Sequence, residues 1–117
     1  MIAIKDTPVL MQLMTMEYHP RLVMIVAYIT DMWDRTVITS AYRGGDKGVH
    51  GTDPCRAVDI RSWIFSNPEK VVGRINQDWE YDPERPEMIV ALYHDAGSGN
   101  HIHLQAHNNT RRRRTGL

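Results

Sequence analysis

The sequence predicts an α+β domain, a small antiparallel sheet with helices packed on one side. Three observations point there. Two stretches, RLVMIVAYITDMW after Pro20 and PEKVVGRINQDW from Pro68, open at a proline as helices do. Two short runs, TVITSA at 36–41 and AVDI at 57–60, read as strands. Two further runs, EMIVALYHD and HIHLQAH, flank the pentapeptide AGSGN and read as a hairpin. At 117 residues one compact domain is expected, over residues 1–110.

Taken in order, PVLMQLMTME at 8–17 is a short helix with Thr7 as its cap. In the second helix Leu22, Ile25, Val26, Ile29 and Trp33 fall at three- and four-residue steps, on one face. Met11, Met14, Met24 and Met32 are expected to fill gaps in the core. Strand 36–41 runs into a loop containing Gly44, Gly45, Gly48, Gly51 and Pro54, and strand 57–60 follows. Ser66 or Asn67 caps the third helix, and YDPERPE is a loop. Tyr42 and Trp63 are expected as core aromatics, Asp46 and Asp53 as loop surface.

Hydrophobic residues make up 42% of the chain and charged residues 24%, which excludes wholesale disorder. Lys plus Arg and Asp plus Glu number 14 each, but four of the arginines are the run Arg111–Arg114. Without them 10 positive residues face 14 negative ones, so the body is acidic and no nucleic-acid partner is expected. Residues 111–117 read as a basic disordered tail, either a solvated end or a tether to a polyanion. One cysteine excludes an internal disulfide framework. The first residues lack the layout of a secretion signal, and no run approaches the ~18 apolar residues of a transmembrane segment. Synthesis in the cytoplasm is the expectation.

Three of six histidines fall within seven residues, His101, His103 and His107. On a strand His101 and His103 share a face. Side-by-side imidazoles are costly to bury without a partner, and Zn²⁺ is the usual one. His107 lies about 13 Å further along at ~3.3 Å per residue, which assigns it to the surface or a supporting role. His50 and Asp59 bracket GTDPCRAV and can supply the remaining ligands. Two histidines, a carboxylate and a water form a recurrent catalytic zinc set. The competing reading has His50 capping a turn and Asp59 paired with Arg56 or Arg61.

These residues resemble a known family. ITSAYRGGDKGVHGTDPCRAVDIRSW, with His101-Ile-His103 downstream, is similar to the signature of the zinc D-Ala-D-Ala peptidase and murein endopeptidase superfamily. That group includes phage L-alanyl-D-glutamate endolysins and the hedgehog signalling domain. Gly48, His50, Cys55, Ala57 and Asp59 stand in its order, and Thr39 to Arg43 resemble its strand ending in Gly-Tyr-Arg.

The resemblance implies a hedgehog/DD-peptidase-like fold and a zinc-dependent metallopeptidase hydrolysing peptidoglycan stem peptides with a metal-activated water. It implies His50, Asp59 and His103 as zinc ligands, His101 as the proton carrier and Arg43 as the holder of substrate charge. Arg43 has an alternative, a salt bridge to Asp46 or Asp53. Three departures stand out. The His50–Asp59 interval is two residues longer than usual, so Gly51–Pro54 must bulge. Gly48 and Cys55 stand where the pattern has serine and glycine, and Cys55 is an alternative ligand. Asn100 occupies the position of a carboxylate base, with Asp95 in reserve. A non-catalytic zinc-containing binding module on the same scaffold is the alternative. A cell-wall site of action, after release by a holin or in a virion, fits a chain without a signal.

Overall fold

Proline and a polar cap open each helix. In α1 (Thr7–Met14) the Asp6 carboxylate accepts from the Val9 amide at 3.1 Å. In α2 (Pro20–Trp33) a His19 ring nitrogen accepts from Arg21 N. In α3 (Pro68–Asp78) the Asn67 side chain accepts from Lys70 N. The cap of α1 is thus Asp6 rather than Thr7. The helix also stops short of Glu17, and past its end the Thr15 hydroxyl donates to the carbonyls of Met11 and Gln12.

The structure, a computed structural model, describes residues 1–95 and 99–113. Its main sheet contains β1 (Ile2–Ile4), β2 (Thr36–Ser40), β3 (Ala57–Arg61), β5 (Ala91–Asp95) and β6 (Asn100–Gln105). The order across it is β1-β2-β3-β6-β5. The fold is α+β as expected, but the sheet is mixed: β1 runs parallel to β2, and the remaining pairs are antiparallel. Strand β5 starts at Ala91, because the Asn76 side chain of α3 takes the amides of Val90 and Ala91 and donates to Ala91 O.

A second, two-stranded sheet pairs β4 (Trp79–Glu80) with β7 (Arg111–Arg112). This corrects the expectation of an unpacked tail from residue 111. Glu80 supplies the counter-charge, accepting from both Arg111 and Arg113 at 3.0 Å. Arg112 lies over the Tyr28 ring. Residues 114–117 lie outside the described residues.

Strand alternation separates two faces. Ile38, Val58, Ile60, Ile102 and Leu104 join Leu22, Ile25 and Ile29 of α2 and Val71 and Ile75 of α3 in one core cluster. Truncating Ile60 or Leu104 to alanine is expected to cost about 2–5 kcal/mol. The intervening residues Asp59, Arg61, His101 and His103 line an open cleft. No helix among the described residues is long and apolar enough to cross a membrane.

Two expectations about apolar side chains fail. Met11, Met14, Met24 and Met32 are exposed: α1, which carries Met11 and Met14, buries only Val9, and the inward stripe of α2 is already filled by Leu22, Ile25, Val26 and Ile29. Met24 falls on the opposite side of that helix. Trp63 is 72% exposed, beyond the end of β3, and stands at the cleft instead of in the core. Tyr42 is half-buried.

Candidate metal centre

The end of β2 is pinned by α1. Gln12 accepts the Ala41 amide at 2.8 Å, and the Tyr18 hydroxyl accepts the Tyr42 amide while donating to Gln12 O. The Ala41 carbonyl is thereby held where the next ligand needs it. His50 sits in a 3₁₀ turn, Val49–Gly51, and is 5% exposed. That turn packs so tightly that a Cβ on Gly51 would stand 1.9 Å from Asp46 O, so only glycine fits. Arg43 N donates to His50 O, and the Thr52 hydroxyl bonds Val49 O and Pro54 O. Beyond this turn the chain passes through a cis Asp53–Pro54 peptide into β3, and His50 and Asp59 reach one point.

Register brings the rest. Asp59 on β3 faces His103 on β6, and Arg61 faces His101. Asp59 Oδ1 lies 2.9 Å from His103 Nδ1 and 3.2 Å from His50 Nε2, and the two ring nitrogens are 3.3 Å apart. Four-coordinate zinc with ligands at 2.0–2.1 Å holds them about 3.3 Å from one another. The three atoms therefore have the spacing of one face of a tetrahedron.

The outer nitrogens fix what the inner ones can do. His50 Nδ1 is 2.8 Å from the Ala41 carbonyl, which can only accept, so this nitrogen carries the proton. His103 Nε2 is 3.0 Å from Gln105 Oε1, whose own amide is oriented by donating to Ile89 O. It too must donate. With neutral rings, His50 Nε2, His103 Nδ1 and Asp59 Oδ1 present three lone pairs to one another. Three converging acceptors need a cation or extra protons. Extra protons on the rings are the metal-free alternative: burial pushes the Asp59 carboxyl up, but hydrogen bonds and charge from protonated His103 and His50 then outweigh it and hold it well below the usual range. These three side chains can hold a metal ion.

His101 stands beside this group. Its Nε2 is 3.8 Å from Asp59 Oδ2, and its ring packs on His94, with centroids 4.4 Å apart. Sequence reading passed over His94 and Gln105. Both carry a signal: Gln105 shares the parity of 101 and 103, and His94 pairs with His101 in the hairpin register.

Other candidates lie apart. Cys55 Sγ points at Ala57 O (3.3 Å) and His50 O (3.6 Å), and burial pushes its thiol up, which corrects the alternative of a thiolate ligand. Asp59 pairs with neither Arg56, which reaches Tyr81 Oη, nor Arg61, which lies over Trp63. Arg43 lines the cleft and contacts Asp46 at 3.4 Å. His107 packs on Tyr81, 3.6 Å from Asp82 and outside the centre. Asn100 is exposed and donates to Tyr93 Oη. The side chain of Asp95 lies outside the described residues.

No protein-family model matches the chain, and neither a curated protein nor a solved structure matches it.

Proposed function

We propose that the chain is a zinc metallopeptidase acting on peptidoglycan stem peptides. The observation that carries this reading is the convergence of three lone pairs, the two on histidine each fixed by an outer hydrogen bond, on the floor of a cleft of about 790 Å³. A two-histidine, one-carboxylate set leaves a coordination position open, as catalytic rather than structural zinc sites do. The substrate class comes from the resemblance of the His50–Asp59 and His101–His103 segments to murein peptidases.

His50, Asp59 and His103 would hold the ion, which supplies Lewis acidity and ionises water near neutral pH. His101 holds and passes a proton at Nε2, facing the free Asp59 oxygen. Arg43 places a guanidinium at the cleft wall for substrate charge. Action at the cell wall, after release from the cytoplasm or carriage in a virion, belongs to the same proposal.

Purified sacculi incubated with the zinc-loaded protein should be solubilised, and a chelator should stop the reaction. His101→Ala is expected to lose about 10²–10⁴-fold in rate while keeping its metal. Intact walls at every pH, despite one zinc per chain, contradict the proposal. Asn100 favours a second reading, a metal-containing binding module. A neutral amide that donates to Tyr93 Oη cannot take a proton. On that reading His101→Ala leaves wall binding unchanged and no bond is cut in either protein.

A further inference from the structure

We propose that Arg61 and Trp63 form a carboxylate-binding subsite next to the metal centre. It selects peptides with a free carboxylate one or two residues from the bond to be cut. The proposal rests on the peptidase reading and adds to it a specificity determinant.

Placement comes first. Arg61 is the next residue after Asp59 on the same face of β3, about 6.6 Å along at ~3.3 Å per residue. It sits directly opposite His101 on β6. Both Arg61 and Trp63 line the cleft that contains His50, Asp59 and His103. An extended peptide advances about 3.3–3.6 Å per residue, so a carboxylate reaching Arg61 lies one to two residues from the centre.

Unspent hydrogen-bonding capacity is the second argument. Arg74, Arg85, Arg111 and Arg113 each hold a carboxylate of the fold, and Arg43 is near Asp46. Among the described residues Arg61 has no such partner. Its guanidinium lies over the Trp63 ring, 4.8 Å from Cζ to the centroid. Indole has no acceptor to offer, so the five N–H donors remain for a ligand. A cation–π contact of this length holds the guanidinium in place while leaving its charge in force.

The third argument is exposure. Trp63 is 72% exposed at the edge of a cleft, a large apolar surface left in water. It serves as a platform for the aliphatic part of the ligand whose carboxylate Arg61 grips. Lys5, also on the cleft wall, adds a cation, and Asp59 is committed to the metal. Arg43 on that wall offsets Asp46, so with Asp59 on the ion Lys5 and Arg61 are the unopposed charges of the cleft. A planar guanidinium grips a carboxylate bidentately, which gives geometry as well as charge.

A stem peptide offers this chemistry from two sources, the α-carboxylate of its γ-linked glutamate and the carboxylate at its C-terminus. The test uses the synthetic tetrapeptide L-Ala-γ-D-Glu-L-Lys-D-Ala and two versions, one amidated at glutamate and one at the C-terminus. Calorimetric dissociation constants are measured for the zinc-loaded wild type, Arg61→Gln and Arg61→Lys. Metal content and circular dichroism establish that the variants are folded and loaded. One of the two amidations should weaken wild-type binding about tenfold or more, and which one identifies the source. Arg61→Gln should bind acid and amide forms alike, Arg61→Lys should discriminate less than wild type, and Trp63→Ala should weaken all three peptides. The proposal is overturned if neither amidation matters to the wild type, or if Arg61→Gln discriminates as the wild type does. Solubilisation of sacculi is scored separately. Cutting without Arg61-dependent discrimination refutes the subsite and leaves the peptidase standing. Discrimination without cutting does the reverse.

Discussion

Among the described residues three aspartates are buried, Asp78, Asp82 and Asp59, and all three carboxyls are held below the usual range; Asp78, at 2% exposure, and Asp59, at 6%, make the sharpest comparison. Their neighbourhoods differ in what they donate. Asp78 accepts from the Tyr28 hydroxyl and from Arg74 Nε, so the fold itself supplies its protons and its counter-charge. Asp59 faces His50 Nε2 and His103 Nδ1, whose partner nitrogens are already donating to Ala41 O and Gln105 Oε1. One cluster is complete, whereas the other needs a cation or extra protons to be so. Burial and a lowered pKa do not separate a structural carboxylate from a functional one. The count of donors and acceptors does.

The largest effect expected from this contrast concerns metal-linked stability. Zinc at 1,000 times its Kd adds about 4 kcal/mol to a protein that binds it only when folded. Thermal melts should show that gain in the wild type and lose it in His103→Ala, while Tyr28→Phe keeps it. Next comes Gln105→Leu, which frees His103 to rotate or change tautomer without removing a ligand. Calorimetry should show a 10–100-fold weaker zinc affinity, about 1.4–2.8 kcal/mol, with the helices intact by circular dichroism. Undiminished affinity would remove Gln105 from the account.

On the structural side, Tyr28→Phe should lower stability in urea by about 1 kcal/mol and leave zinc affinity unchanged. The Tyr28 hydroxyl is pushed up to about 12 by burial and by its bond to Asp78. A folded pKa above the unfolded value near 10 favours the protonated phenol in the fold. That stability is full below pH ~10 and is lost as pH rises towards 12, a decline that Tyr28→Phe should flatten. The smallest effect belongs to Glu80→Ala, which frees the half-exposed Arg111 and Arg113. Less than about 1 kcal/mol is expected, shrinking as salt is added.

The readable parts of the chain were those governed by local period. Alternation in His101-Ile102-His103 put both imidazoles on one face, and the capping and proline signals located α2 and α3 within a residue or two. Asp59 is legible from its spacing, nine residues after His50 on the next short apolar run. What escaped depended on contacts distant in sequence. Strand β1 is three residues long and exists because Ile2 to Ile4 pair in parallel with a segment over thirty residues later. The exposure of Met24 and Met32 follows from the phase of α2 and not from their composition. Trp63 reads as a core residue by type, yet β3 ends at Arg61 and leaves it at the cleft.

Zinc titration by calorimetry of the chelator-stripped protein, wild type beside Asp59→Ala, bears most directly on the claim that these side chains await a cation. One ion per wild-type chain, with binding lost in Asp59→Ala although the variant stays folded, is the predicted result. Wild-type protein that takes up no ion, or an Asp59→Ala variant that binds as tightly, would contradict it.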